Sequence, residues 1–243
     1  KAAGVEFKNS FEVIELQMDE PTLDDTMPDN ERLVWALQAQ TGKDNVRLSF
    51  TVLRKMARVF REAAFAVKAV VTVKDDEVFV YDVVPVAEEV SAYGIAIDIG
   101  TTTVSGVIID LLSGKILAKA SSGNGQIRYG ADVINRIIEQ QKPGGVEKLQ
   151  KAVVEETMNP MIVNMCRAAR IAPECIYCMS IGANTTMNHL LVGVDGDPIR
   201  MEPFIPTFFG TDSIHGRDLG LKVHPDARVI IAPNIGSYVG GDI

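Results

Sequence analysis

Tyr93-Gly94-Ile95-Ala96-Ile97-Asp98-Ile99-Gly100-Thr101-Thr102-Thr103-Val104-Ser105-Gly106-Val107-Ile108-Ile109-Asp110 is the stretch on which the reading of this chain turns. An apolar run reaches Asp98, turns at Gly100, passes three threonines and becomes apolar again. The pattern predicts a β-hairpin: a strand to about 98, a tight turn, and a strand to about 110. Gly100 would let the backbone approach a bound group and supply whatever φ the turn demands. The turn N–H groups and the hydroxyls of Thr101, Thr102 and Thr103 can face phosphate oxygens. Asp98, at the strand's end, can hold a hydrated Mg²⁺. The same residues also describe an ordinary hairpin with a threonine-rich turn, because short motifs match by accident.

Downstream, Leu112-Ser113-Gly114-Lys115 reads as a second turn and Ile116 to Ala120 as a third antiparallel strand. Asn124 to Gly130 reads as a loop. Ala131 to Gln141 reads as a helix, with Val133, Ile134, Ile137 and Ile138 at helical spacing. Pro143-Gly144-Gly145 breaks it. Val146 to Arg170 predicts a long helix that Pro160 should kink or interrupt. Ile176 to Gly182 predicts a buried strand and Thr185 to Val192 a short helix. Asp195 to Gly220 reads as loop, Arg228 to Ala232 as a strand, and a helix is expected to start near Gly236. The order β-β-β-α-β-α-β-α is half of an actin-like nucleotide-binding fold.

Ligands in such sheets gather outside the carboxyl ends of strands. Two more stretches should therefore lie near the hairpin. In Ile181-Gly182-Ala183-Asn184-Thr185-Thr186-Met187-Asn188-His189, Asn184 or Thr185 caps a helix whose N–H groups point outward. In Pro233-Asn234-Ile235-Gly236-Ser237-Tyr238-Val239-Gly240-Gly241-Asp242, small residues permit close packing at a hinge, and Asp242 offers a second carboxylate. Helix capping and a solvated aspartate are the plainer readings. Asn124, Gln126 and Asp132 can line the cleft or only cap and turn.

Before the hairpin, residues 1–30 read as a linker, with Phe11 to Met18 as one strand inside it. Residues 31–92 read as a small α+β middle domain. It comprises a helix over Glu31 to Gln40 capped by Asp29 or Asn30, a strand over Asn45 to Thr51, and a basic helix over Val52 to Ala63. A hairpin follows, Ala66 to Lys74 and Glu77 to Pro85, turning at Asp75-Asp76. Residues 93–243 would be the first half of an actin-like domain, its second half missing. The start at Lys1 and the stop at Ile243 suggest an internal piece of a longer protein.

A net charge of −8 argues against non-specific nucleic-acid binding and against an anionic membrane surface. No apolar run reaches the length of a membrane span, and no secretory pattern opens the chain. Three cysteines, an odd number, suggest a reducing cytoplasm. Cys175 and Cys178 form a C-x-x-C, but a strand reading points residues three apart to opposite faces. With Cys166 they make no four-ligand iron–sulfur or zinc site, and all three read as core thiols. His189 is the histidine nearest the expected cleft; a structural role is the reading for each of the three. No serine sits in a G-x-S-x-G elbow.

Asp98-Ile-Gly-Thr-Thr-Thr-Val104 resembles the phosphate hairpin of the superfamily of acetate and sugar kinases, heat-shock chaperones and actin (ASKHA). Three stretches narrow the resemblance to the ATP-dependent reductive activators of corrinoid proteins: Asn124-Gly-Gln-Ile-Arg-Tyr-Gly-Ala-Asp-Val-Ile-Asn-Arg-Ile137, Gly182-Ala-Asn-Thr-Thr-Met-Asn-His-Leu-Leu191 and Pro233 to Asp242. The resemblance covers about residues 31–243. It implies a parent with a ferredoxin-like [2Fe–2S] domain, a linker, a middle domain and an actin-like ATPase domain. Such a parent takes an electron from a low-potential donor and returns inactivated Co(II) corrinoid on a methyltransferase partner to Co(I), with ATP and Mg²⁺. It further implies anaerobic metabolism, a cytoplasmic location and a homodimer, with no nucleic acid and no membrane as partner. Asp98 would hold Mg²⁺ and help orient water, as catalytic and metal residue. Gly100, Thr101, Thr102, Thr103, Asn184, Thr185, Gly240, Gly241 and Asp242 would contact the nucleotide. This piece alone is expected to be inactive.

Two other classes stay open: an ASKHA small-molecule kinase, and a non-enzymatic module in which residues 1–92 bind a partner. Dehydratase-activator ATPases are close cousins, but they need cysteines for a shared cluster and this chain offers no convincing set.

Overall fold

The computed structural model describes residues 10–211, 214–236 and 238–241. They form two units. One holds the described residues up to Ala92 together with Leu111–Gly114; the other holds Tyr93–Asp110 and the described residues from Lys115 onward.

The smaller unit runs β1 (Phe11–Gln17), α1 (Asp29–Thr41), β2 (Asn45–Leu48), α2 (Phe50–Glu62), β3 (Ala66–Lys74) and β4 (Glu77–Pro85). Its sheet order is β1-β3-β4-β2, with β2 parallel to β4 and the other pairs antiparallel. The strand at Phe11 is thus a sheet edge paired along its length with β3. Leu33 and Leu37 of α1 and Val52 and Phe60 of α2 pack into one core with the inward residues of β3 and β4. The strand expected to reach Thr51 ends at Leu48. Ser49 Oγ accepts the Thr51 N–H (3.2 Å), and that cap starts α2 at Phe50. No side chain caps α1: Pro28, not Asp29 or Asn30, occupies the cap position.

The larger unit opens with β5 (Tyr93–Ile99), β6 (Thr103–Asp110) and β7 (Ile116–Gly123), an antiparallel meander. Then come α3 (Val133–Gln140), α4 (Gly145–Val153), α5 (Asn159–Ala169), β8 (Ile176–Ala183) and α6 (Thr185–Val192). It ends with α7 (Asp197–Arg200), β9 (Ile214–His215) and β10 (Arg228–Ile231). The sheet order is β7-β6-β5-β8-β10-β9, with β8 parallel to both β5 and β10. Three antiparallel strands followed by parallel crossovers are the topology of the actin-like (ribonuclease H-like) α/β fold.

The two faces of this sheet differ. Ile95, Ile97, Ile99, Val104, Ile108, Met179 and Ile181 point to one side and are buried against α4 and α5. Gly106, paired with Ile97, lies on the same side, where a Cβ would stand 3.1 Å from Met161 Cε and 3.2 Å from Met165 Cε. The alternate residues, including Ala96, Asp98, Ser105, Val107, Ser180 and Gly182, line the other face, as a period of two requires.

The helix expected over 146–170 is split. A π-helical turn at Val154–Met158 separates α4 from α5, and Pro160 stands in the first turn of α5. Proline has no N–H to give to the carbonyl four residues back and crowds that carbonyl. One extra residue before it accommodates both problems. The expected loop at 124–130 contains a 3₁₀ turn, Gly125–Tyr129, capped by Asn124. No helix begins near Gly236 among the described residues: the N–H groups of Ile235 and Gly236 both donate to the Val239 carbonyl, a reversed turn. Cys175 lies in a 3₁₀ turn and only Cys178 lies on β8. Cys166 is buried, whereas Cys175 and Cys178 are half-buried, so the core reading holds for Cys166 alone.

Candidate functional site

The β5–β6 hairpin reverses through Gly100, Thr101 and Thr102. The Gly100 N–H donates to the Thr103 carbonyl (2.9 Å). Gly100 is required by crowding, not by φ. It is absent from the positive-φ glycines, and a Cβ there would stand 2.8 Å from the Thr103 carbonyl oxygen.

The turn's carbonyls are all held from one neighbouring segment. Asn124 Nδ2 donates to the Gly100 carbonyl (2.9 Å). An Arg136 guanidinium N–H donates to the Thr101 carbonyl (2.5 Å). The Asn124 backbone N–H donates to the Thr102 carbonyl (2.8 Å). Asn124 is itself fixed, because its Oδ1 accepts the Gln126 N–H (2.9 Å). Gln126 Nε2 donates to the Leu149 carbonyl (2.9 Å). The π turn joins this support: Thr157 Oγ1 accepts the Gly125 N–H (3.0 Å) and donates to the Ala152 carbonyl (2.7 Å). Of the alternatives for Asn124, Gln126 and Asp132, the structure selects capping and bracing. Asn124 and Gln126 are buried, and Asp132 caps α3 by accepting the Asn135 N–H.

Arg136 is fully buried. Besides Thr101 it donates to the Gly130 carbonyl (2.9 Å) and Gln126 Oε1 (3.4 Å) and touches Met187 Sδ (3.2 Å). Among the described residues no ion pair involves it. Burial pulls its pKa below the ordinary guanidinium value and Asp132 partly opposes this, yet a guanidinium keeps its proton at neutral pH.

Asp98 is the last outward residue of β5, opposite Ser105 on β6 and Gly182 on β8. Its carboxylate is exposed and makes no hydrogen bond or ion pair to the other described residues. It opens onto a groove of about 660 Å³ that Ser105, Lys119, Ser180 and Gly241 also line. A Cβ on Gly182 would stand 3.3 Å from the Gly241 carbonyl oxygen and 3.9 Å from Asp98 Oδ1.

The ends of β5 and β8 lie side by side, Ile99 paired with Ala183, so Asn184 and Thr185 do adjoin the hairpin. Their side chains are spent locally. Asn184 Oδ1 accepts the Met187 N–H (2.9 Å). The buried Thr185 hydroxyl is donated to the carbonyls of Gly236 and Val239 (3.1 Å to the latter). Gly240 and Gly241 pack so closely on Ala183 and Ala232 that a Cβ on either would overlap them. Asp242 lies outside the described residues. His189 is structural: its Nδ1–H donates to the Thr185 carbonyl (2.8 Å), its Nε2 accepts the Thr207 N–H (3.1 Å), and its ring stacks on Phe208. Burial lowers its pKa, which favours this neutral form.

Residues that sequence reasoning passed over are Arg136, Ser105, Lys119 and Ser180. The last three follow from strand alternation once Asp98 is placed. Arg136 carried no signal, since a lone arginine on a helix is normally solvated.

Fold and hairpin together define an actin-like α/β domain with a braced turn at the carboxyl end of its first strand. The chain belongs to the family whose model is described as the RACo middle region, matched over residues 93–243, and the RACo linker region is matched over residues 1–89. In the family's terms, "linker" covers the smaller unit and "middle" the larger. The chain is 35% identical over 165 residues to the corrinoid activation enzyme RamQ of Eubacterium limosum, spanning 67% of this chain and 28% of that protein. A solved structure of a reductive activator for corrinoid, iron-sulfur protein superposes with a TM-score of 0.85 at 33% identity. That match covers 99% of this chain and 38% of the other.

Proposed function

We propose that this chain is part of an ATP-dependent reductive activator. The full-length protein would pass one electron from a low-potential donor to the Co(II) corrinoid of a methyltransferase partner, giving Co(I), while the donor loses that electron. The names of the two relatives support the corrinoid partner. The observation that carries the nucleotide role is the capture of three successive turn carbonyls by Asn124 and Arg136.

The residues fit Mg-ATP. An exposed carboxylate, Asp98, suits a hydrated Mg²⁺, which keeps several waters and takes one or two carboxylates. The groove beside it is of the volume common for small-molecule sites. When bound, Mg-ATP would supply the free energy of phosphoanhydride hydrolysis. Asp98 would hold the hydrated metal, and the Thr101–Thr103 turn would offer N–H and hydroxyl donors to phosphate oxygens. Gly100 and the Gly240–Gly241 pair would let neighbouring backbone close in around the nucleotide. A phosphate role for Thr185 is the weakest part, since its hydroxyl is already donated. Residues 93–243 would supply the first half of the ATPase domain and the rest of the protein the second.

A [2Fe–2S] cluster does not fit this chain. Among the described residues no three His, Cys, Asp or Glu side chains group as metal ligands. The Cys166 thiol is pushed up to about 11 by burial, away from the thiolate a cluster needs. The cluster belongs to the same reading only as part of another domain, as do a homodimer and a cytoplasmic location. Among the described residues no helix is long and apolar enough to cross a membrane.

The test uses the full-length protein and its corrinoid protein under anaerobic conditions with a low-potential donor. The visible spectrum should show Co(II) converting to Co(I) with Mg-ATP but not without it, and Asp98→Ala should abolish the ATP dependence. Absence of any ATP effect, with the corrinoid protein competent by chemical reduction, would overturn the reading in favour of a small-molecule kinase.

A further inference from the structure

Every peptide in the β5–β6 turn is oriented by a donor from outside the hairpin. In a planar trans peptide the carbonyl of one residue and the N–H of the next point in opposite directions. The carbonyls of Gly100, Thr101 and Thr102 all face Asn124 and Arg136. The N–H groups of Thr101, Thr102 and Thr103 are therefore turned away from that brace. Successive backbone N–H groups can bind an anion together, and the brace holds these three on the side away from itself.

Arg136 adds something Asn124 cannot. It is a cation with no solvent exposure and no ion pair among the described residues; Asp132, the exposed cap of α3, acts on it only at a distance. Its partners are two carbonyls, an amide oxygen and a thioether. Burying a charge without a counter-ion is costly, and a side chain kept only for packing would be served better by leucine or methionine. α3 shows the same anomaly in its orientation. Arg136 and Gln140 are buried, whereas Ile134 and Ile138 are 38% and 43% exposed. The helix turns its arginine inward at the expense of two isoleucines.

We propose that Arg136 is the positioning residue of the phosphate turn. It fixes the Thr101 peptide through its guanidinium, and its charge, held in no ion pair and one hydrogen bond behind the turn, raises the turn's affinity for a polyphosphate. This rests on the nucleotide reading above. The charge acts through the backbone, so Arg136 does not touch the ligand. In a low-dielectric setting its field is screened far less than that of a surface arginine.

The test measures binding of Mg-ATP and of adenosine to full-length wild type, Arg136→Gln and Arg136→Lys, with folding checked by circular dichroism. Arg136→Gln should weaken Mg-ATP by at least about tenfold, the scale of one charge-assisted hydrogen bond. It should leave adenosine unchanged, and Arg136→Lys should recover part of the loss. A packing role would move melting temperature without changing the ratio of the two affinities. A folded Arg136→Gln protein with wild-type Mg-ATP affinity overturns the proposal. Wild type binding Mg-ATP no better than adenosine instead overturns the nucleotide reading itself. Should the glutamine variant not fold, wild type labelled with ¹⁵N-threonine decides. The Thr101, Thr102 and Thr103 amide resonances should shift with Mg-ATP and not with adenosine; amides that stay in place overturn the proposal.

Discussion

Two of the chain's β-hairpins are built by opposite means. The β3–β4 hairpin reverses at Asp75-Asp76 using local chemistry: Asp75 adopts a left-handed φ of 52°, and both aspartates are exposed. The β5–β6 hairpin reverses at Gly100–Thr102 with help from Asn124, Arg136 and, through Gly125, Thr157. The first turn only has to bring the chain back. The second is held in one backbone conformation by groups far away in sequence, which is what a pre-organised binding turn requires.

The contrast breaks most readily at Asn124. Asn124→Ala would strand the Gly100 carbonyl and the Gln126 N–H in a buried setting. We expect a loss of about 3 kcal/mol in urea denaturation, with hydrogen exchange at the turn amides accelerated. Gly100→Ala comes next, at about 2 kcal/mol, because the new Cβ meets a backbone oxygen that cannot move aside. Thr157→Val keeps the shape of the π turn but removes the acceptor for the Gly125 N–H. It should cost about 1–2 kcal/mol and reduce Mg-ATP affinity without disturbing β3–β4.

The pH dependence is smaller. Folding lowers the pKa of His189, so the unfolded chain binds the proton more tightly. The stability His189 contributes is complete above the ordinary histidine value of 6.5 and declines as pH falls below it. Protonation also places a hydrogen on Nε2, where the Thr207 N–H now donates. Urea midpoints at pH 7.5 and 5.5 should differ in wild type and converge in His189→Gln. The smallest effect belongs to the local hairpin. Asp75→Gly relieves a left-handed residue and should change stability by no more than about 0.5 kcal/mol. A large effect there would erase the distinction between the two turns.

What the sequence made legible follows the same line. Both hairpins could be read, because alternation and turn residues are local signals. Thr185–Val192 was read to the residue from its cap and its period. Pro160 announces an interruption but not that it takes the form of a π turn whose Thr157 reaches Gly125 across the fold. The largest misreading is α3. Spacing pointed Ile134 and Ile138 inward, and the structure turns them out in favour of Arg136 and Gln140. Hydrophobic period cannot anticipate a buried arginine, because one of the two carbonyls that receive it comes from a turn 35 residues earlier. The Thr185 hydroxyl reads as free for a ligand for the same reason: its loop acceptors are invisible in one dimension.

The extra residue between α4 and α5 also constrains how this chain can change length. Deleting one residue from Val154–Met158 would close the wide turn into an ordinary α-helical one. Because the wide turn holds its extra residue locally, α5 would keep the same face toward the sheet, and Met161 and Met165 would stay in the slot that Gly106 keeps open for them. What the deletion would lose is the room before Pro160, whose ring would then crowd the carbonyl four residues back. Sequences sharing this architecture should therefore shed that residue only where they also lack the proline.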